Sequence, residues 1–255
     1  MKAFAGLLLL APLAAQAAAP CRYDYPSYSR AAQLYSEARN GSPQGLLPAL
    51  AGRLQQLTGC VLTPRELPLA RRNAMLQQHQ LQLLLLAIQS SELESLLEFV
   101  PLFRLPLQTT VLAGSNYRSA DALLADPNAR IGILNGALFP TEIEQRLAPL
   151  RQAGRLEYSN DRGSLYLKLQ HRRLQALLET TSWLGSPQGT EGATLRYLSF
   201  QPEVYLTVGS YLSRRMSPPD RSQLRQALQR LVASQEVSRL TLHYLPQLQG
   251  QLRQP

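Results

Sequence analysis

The sequence predicts an α/β fold, and three observations carry that expectation. Ala129-Arg130-Ile131-Gly132-Ile133-Leu134-Asn135-Gly136 reads as a short buried strand broken by Asn135-Gly136, with a helix opening at Thr141-Glu142-Ile143-Glu144. Such strand–glycine–helix turns are how α/β proteins build a ligand cradle, because free amides and the helix dipole face the crevice. Short apolar runs also alternate with amphipathic stretches through most of the chain. Finally, Leu83-Leu84-Leu85-Leu86-Ala87-Ile88 is an unbroken apolar run. Runs of this length suit a strand buried on both faces, as parallel sheets require.

The elements follow in order. Residues 21–25 read as a strand. A helix then places Leu47, Leu50, Leu54 and Leu57 on one face, with Gly59 as its C-terminal stop. Residues 60–62 form a second strand, residues 68–78 a short helix, residues 83–88 a buried strand and residues 105–113 another. The alternation restarts with a helix from Ser119, a strand at Arg130, and a helix from Thr141. There Thr141 and Glu144 form a capping box, each side chain satisfying a free backbone N–H. A strand at 155–158, a helix, and a strand at 174–178 come next. Val204, Leu206 and Val208 alternate as a strand, and residues 220–234 form an amphipathic helix with Leu224, Leu228 and Leu231 on one side. Residues 75–84 echo residues 166–177: each is a helix end, a polar turn and a buried strand. The echo implies two similar lobes; chance similarity in a Leu/Gln-rich chain is the other reading.

Residues 1–17 have the form of a signal peptide. Lys2 supplies the positive start, Leu7 to Leu10 with Ala11 and Leu13 the apolar core, and Ala15-Gln16-Ala17 the small-x-small cleavage site. The apolar run falls short of the roughly 20 residues that span a bilayer. Pro20 before Cys21 disfavours lipid modification. The expected location is therefore periplasmic. An exported chain with two cysteines, Cys21 and Cys60, suggests one disulfide. Each cysteine begins an apparent strand, so a bridge is reasonable if those strands are parallel neighbours; two unpaired buried thiols are the alternative. The formal net charge of +9 is nearly all arginine excess, with spread doublets at Arg71-Arg72, Arg172-Arg173 and Arg214-Arg215. That pattern describes a solvated basic surface more than a nucleic-acid groove.

Taken in order, these segments resemble extracellular solute-binding proteins of family 3, with the periplasmic binding protein-like type II fold. The resemblance runs from Tyr25-Pro26 through Gly45-Leu46-Leu47-Pro48-Ala49-Leu50, Thr58-Gly59-Cys60, Gln82-Leu83-Leu84 and Phe99-Val100-Pro101-Leu102-Phe103. It continues through residues 119–124, residues 130–136, Arg173-Leu174-Gln175-Ala176 and Tyr211-Leu212-Ser213-Arg214. It implies two lobes, each a mainly parallel sheet flanked by helices, joined by two crossing hinge strands. Lobe 1 would be residues 21–108 plus 203–255, with lobe 2, residues 112–200, inserted. It also implies capture of a small polar ligand between the lobes, with delivery to the permease of an ABC importer. The same fold serves as a sensory or accessory subunit of a membrane receptor, and an exported enzyme on this scaffold is a third class. A monomer, no cofactor, no metal and no nucleic-acid partner are expected.

Two departures from the family stand out. Amino-acid binders of this family carry an arginine after the lobe-1 strand for the ligand's carboxylate and an aspartate after the lobe-2 strand for its ammonium. Here the first loop reads Gln89-Ser90-Ser91-Glu92-Leu93-Glu94, and Thr180 falls nearest the second position, beside Glu179. The turn glycines of the echo are likewise His79 and Arg172. An ordinary α-amino-acid ligand is therefore not expected. The candidate ligand-binding residues are Tyr25 and Tyr28 as an aromatic platform and Gln89, Ser90 and Ser91 at the strand end. Asn135, Gly136 and Ala137 join them as amide donors, with Arg71 or Arg72, and Thr180. Surface packing, a polar loop, a structural turn and a solvated helix are the respective alternatives. Catalysis has no motif: His79, His171 and His243 lack metal-ligand spacing, and no GxSxG elbow occurs.

Overall fold

The computed structural model describes residues 21–27, 33–182, 192 and 194–255. The expected signal segment and Tyr28 lie outside the described residues. The strands are β1 (Arg22–Ser27), β2 (Ser36–Glu37), β3 (Pro43–Gln44), β4 (Val61–Glu66), β5 (Leu83–Ile88), β6 (Leu97–Pro106), β7 (Gln108–Leu112), β8 (Ile131–Leu134), β9 (Leu156–Ser159), β10 (Ala176–Leu178), β11 (Leu195–Ser199) and β12 (Tyr205–Ser213). The helices are α1 (Leu46–Thr58), α2 (Leu69–Gln77), α3 (Ser91–Glu94), α4 (Ala120–Ala125), α5 (Thr141–Gln152), α6 (Arg162–Gln170), α7 (Pro218–Ala233) and α8 (Glu236–Tyr244).

The fold has two lobes. The first carries the parallel pair β1–β4 and the antiparallel sheet β5-β12-β6, with a small β2–β3 hairpin. The second carries one five-stranded sheet, β11-β7-β10-β8-β9. Within it β10, β8 and β9 run parallel, while β7 runs antiparallel to both its neighbours. Apolar side chains from the α1, α7 and α8 region pack on the first lobe around Leu54, Leu83, Phe103 and Leu228. The second core gathers Val111, Ile131, Ile133, Ile143, Leu147 and Leu178. The chain passes between the lobes twice, near residues 106–108 and 199–205, and the two passages pair through Leu107 N–H to Val204 O at 2.8 Å. Leu107, Val204 and Leu206 are buried there together.

Local sequence accounts for most of these elements. Gly59 ends α1 in the left-handed conformation, φ 72°, and its N–H donates to Gln55 O at 2.8 Å. Ser119 caps α4 by accepting from Ala122 N–H, and Ser217 caps α7 by accepting from Asp220 N–H. Leu224, Leu228 and Leu231 are the buried face of α7. The echoed segments are structurally alike. His79 follows α2 with φ 57° and Arg172 follows α6 with φ 56°. In both, three successive amides bond back to the last helical turn: Gln78, His79 and Gln80 to Ala74, Leu76 and Met75, and His171, Arg172 and Arg173 to Leu167, Leu169 and Lys168. After α5 the same turn is made by Gly154, φ 65°. The disulfide Cys21–Cys60 is formed, with Cα atoms 4.6 Å apart. It sits where the parallel register Arg22↔Val61 sets the two strand starts side by side.

Several expectations are corrected. The capping box at Thr141 does not form: Pro140 is the N-cap, Thr141 is already helical, and no side chain caps that end. Pro140, with its φ of −56°, starts the helix one residue earlier. Leu57 is 39% exposed, because the buried stripe of α1 ends at Leu54. β5 is buried except at the half-buried Leu86 and Ile88, and it runs antiparallel to β12, since an apolar run reports burial and not strand direction. The stretch 105–113 is divided at Leu107 between the end of β6 and β7, where the chain passes between lobes. β11, most of β6 and α8 carry no pattern that marks them in the sequence.

Candidate functional site

The crevice is built from the C-terminal ends of the parallel strands, where open α/β sheets bind ligands. On the first lobe the parallel pair β1–β4 ends at Ser27 and Glu66, just before α2; on the second the parallel strands β8 and β10 lead into the turn at 135–137 and into residues 179–180. The lobes touch here. Asn73 Nδ2 on α2 donates to Gly136 O in the turn after β8, at 3.1 Å. Leu138, two residues further on, packs against the first-lobe cluster of Leu67, Met75, Leu76 and Leu84.

Tyr25 is 1% exposed and belongs to the first core with Tyr35, Leu46 and Leu50. Burial, with Tyr35 alongside, pushes its hydroxyl well above the usual tyrosine range. The ring is core and not a platform over the crevice. Arg71 is exposed, whereas its neighbour Arg72 is 6% exposed on the same buried face of α2 as Met75 and Leu76. Arg72 Nε and Nη2 donate to Asn73 Oδ1 at 2.8 and 2.6 Å. The buried cation on this helix is thus the second arginine of the doublet, a distinction of one position that helical phase sets and composition does not show.

The loop after β5 is tied to its own lobe. Gln89 N–H donates to Thr207 O at 2.9 Å and Gln89 Nε2 to Glu94 Oε1 at 2.6 Å. Ser90 is buried, and its N–H donates to the Tyr211 hydroxyl at 2.7 Å. Burial raises the Tyr211 hydroxyl far above its ordinary range; the Ser90 amide and, more weakly, the Arg72 charge oppose the rise. Ser91 is exposed and begins α3.

The expected offer of amides by the turn after β8 is not what two of its residues do. Asn135 N–H donates to Ser159 O at 2.8 Å and Ala137 N–H to Leu134 O at 3.0 Å. An ordered turn satisfies its backbone internally wherever geometry allows. Gly136, φ 77°, turns the chain there and presents its carbonyl to Asn73. The Asn135 amide side chain bonds Asn160 Oδ1 at 2.8 Å.

Glu179 follows β10 and is buried, but its carboxylate is taken. Arg162 binds it through two bonds of 2.7 and 3.0 Å, and the Tyr166 hydroxyl donates at 2.8 Å. Arg162 also donates to Thr181 O at 3.3 Å. Burial disfavours the Arg162 charge, but the Glu179 carboxylate more than offsets that, leaving the guanidinium above its ordinary range. Strand alternation puts Glu179 on the side of Leu177, facing α6, and Thr180 on the opposite side. Thr180 is 8% exposed. Sequence reasoning overlooked Arg162; an arginine opening a helix seventeen residues before a buried acid carries no recognisable spacing.

Among the described residues, no group of three or more His, Cys, Asp and Glu side chains is placed to hold a metal ion. None of the described helices is long and apolar enough to cross a membrane.

No protein-family model and no curated protein matches the sequence. Solved structures do match the fold. A putative L-cystine ABC transporter from Listeria monocytogenes superposes with a TM-score of 0.69 at 15% identity, covering 88% of this chain and 96% of that one. ArtJ, an arginine-, lysine- and histidine-binding protein from Geobacillus stearothermophilus, gives 0.70 at 12% identity, covering 88% and 95%. A histidine kinase sensor domain with similarity to periplasmic binding proteins gives 0.68 at 10% identity, covering 92% and 99%. Likeness at this level of identity carries the architecture: the chain has the two-lobed α/β fold of the periplasmic binding proteins.

Proposed function

We propose that this protein is a periplasmic solute-binding protein that captures a small polar ligand between its lobes and presents it to the membrane permease of an ABC importer. In this reading residues 21–108 with 203–255 form one jaw, residues 112–200 the other, and residues 1–17 are removed on export. The observation that carries it is the contact between Asn73 and Gly136, which joins the two jaws at the strand ends where ligands bind in such sheets. In this reading Gln89, Ser90, Ser91, Asn135 and Thr180 join Gly136 as the ligand-binding surface. Function is closure: a ligand shifts the jaws from open to closed by contacts that exist only when they meet.

A second reading, a sensory subunit that reports ligand to a membrane receptor, is favoured by the kinase sensor domain that shares the fold over 92% of this chain. Both readings require binding without turnover. A thermal-shift screen of the exported protein against amino acids, organic acids, polyamines and sugars tests them together. A ligand at a hundred times its Kd raises stability by about 2.7 kcal/mol, and it is recovered unchanged. A screen in which no class stabilises the protein removes the binding reading, and conversion of the bound compound replaces it with catalysis. A permease or a kinase encoded beside the gene separates importer from sensor.

A further inference from the structure

We infer that the end of the second lobe opposite the crevice docks the protein on an anionic lipid surface. This goes beyond the binding reading above and does not depend on which ligand the crevice takes. Sheet topology assembles the surface. β10, β8 and β9 are neighbours and parallel, with Ile131 in register with both Ala176 and Leu156, so their starts lie side by side. Each of the three is entered through arginine: Arg172 and Arg173 before β10, Arg130 before β8, and Arg155 before β9. Arg130, Arg172 and Arg173 are exposed. Lys168, in the last turn of α6, is drawn to the same end by Glu157, which takes Lys168 Nζ at 2.5 Å and Arg130 Nη2 at 3.3 Å. Arg155 faces inward and braces the end by donating to Ala129 O at 3.0 Å and Leu124 O at 3.1 Å.

Two carboxylates stand among these five cations. Glu157 is shared by Arg130 and Lys168, and Asp126, just before β8, accepts from the Tyr117 hydroxyl and from Asn128 N–H. The end therefore keeps a positive excess, with Arg172 and Arg173 turned to solvent. The arginines of the first lobe are more engaged: Arg214 donates to Glu94 O at 3.4 Å, and Arg221 and Arg225 share Glu98. Charges standing on three adjacent strand starts, roughly 5 Å from strand to strand, form a face and not a groove. A face of that kind matches a layer of anionic headgroups better than a single polyanionic strand, which is held along a channel. Cys21, the residue a lipid would modify, is bonded to Cys60 in the disulfide. The basic end supplies attraction to a membrane without such a modification. It also lies at the opposite strand ends from the crevice, so docking through it leaves the crevice free.

The test is co-sedimentation of the exported protein, at low salt, with vesicles of phosphatidylcholine alone and with vesicles in which about a third of the lipid is phosphatidylglycerol. The expected result is binding to the second and not to the first, with release when the salt is raised roughly tenfold. Arg172→Gln with Arg173→Gln lowers the partition coefficient by roughly 30-fold, about fivefold for each charge lost at an anionic surface. Arg214→Gln with Arg215→Gln, on the first lobe, leaves it unchanged. Melting temperatures of the variants report folding; should the Arg172 and Arg173 pair unfold early, Arg130→Gln decides, with an expected loss of roughly fivefold. No partition onto the anionic vesicles, unchanged partition of the folded Arg172 and Arg173 variant, or an equal loss from the Arg214 and Arg215 variant overturns the inference. So does a DNA duplex bound as tightly as the vesicles at the same salt, which would reassign the face to polyanions in general. None of these outcomes bears on the crevice, whose ligand the thermal-shift screen reads separately.

Discussion

Glu179 shows how much one side chain decides in this crevice. Its neighbours in sequence are Leu178 and Thr180, and it lies one residue past β10 with its carboxylate turned to α6. Once turned, it needs a partner, and Arg162 with Tyr166 supplies three bonds. The pair is nearly buried, with side-chain exposures of 17% for Arg162 and 2% for Glu179. Removing one partner leaves an uncompensated charge, so Glu179→Ala or Arg162→Ala is expected to cost about 3–5 kcal/mol in denaturant unfolding. The double variant should lose much less than the sum. An additive result would show that the two side chains act independently. The sequence offers Thr180 as a crevice candidate, because residue type at a strand end is local information. It did not identify the internal pairing of Glu179, because Arg162 reaches it from another element.

At the scale of elements, the repeated helix ending is the clearest case of local physics. Three turns close alike, yet only the one after α5 uses glycine; His79 and Arg172 hold left-handed backbone in the other two. A side chain in that region costs roughly 1–2 kcal/mol relative to glycine, less what glycine loses in unfolded-state entropy. Arg172→Gly should therefore raise stability by up to about 1 kcal/mol, read as a higher melting temperature; a decrease would mean that the arginine side chain supports the lobe. The echo between residues 75–84 and 166–177 was legible because the amphipathic pattern and polar turn recur in sequence. The start of α5 was misread because Thr141 and Glu144 satisfy a capping pattern that Pro140 pre-empts by starting the helix itself. Gly132 has a role that no pattern announces: a Cβ there would stand 2.7 Å from both Leu174 Cδ1 and Leu177 Cδ2, so the bare backbone lets α6 and its turn close on β8.

Across the whole molecule, the ends of the chain converge on one lobe and the middle builds the other. The Tyr23 hydroxyl on β1 donates to Asp220 on α7 at 2.6 Å, and Arg104 on β6 exchanges two backbone bonds with Arg253. The Cys21–Cys60 bridge closes a loop of sequence separation 39 in the same lobe. By loop-closure entropy such a cross-link contributes about 4 kcal/mol. Cys21→Ser with Cys60→Ser should lower the unfolding free energy by about that amount under oxidising conditions and leave it unchanged relative to wild type under reducing ones. An equal loss in both would assign the effect to packing of the buried Cys60 and not to the bond.

The sequence by itself determined the α/β class and the order of most elements, and it offered a Cys21–Cys60 bridge as one of two readings. Each rests on information within a few residues: periodicity, turn chemistry, or a residue type at a known offset. Only the tertiary structure decided that β5 runs antiparallel to β12, that Arg72 and not Arg71 is buried at the crevice, and that Glu179 belongs to Arg162. Strand direction, the partner of a buried charge and the face a side chain shares with a distant element all depend on how separate elements pack. Hydrophobic pattern says only that a position is covered, and the fold chooses what covers it.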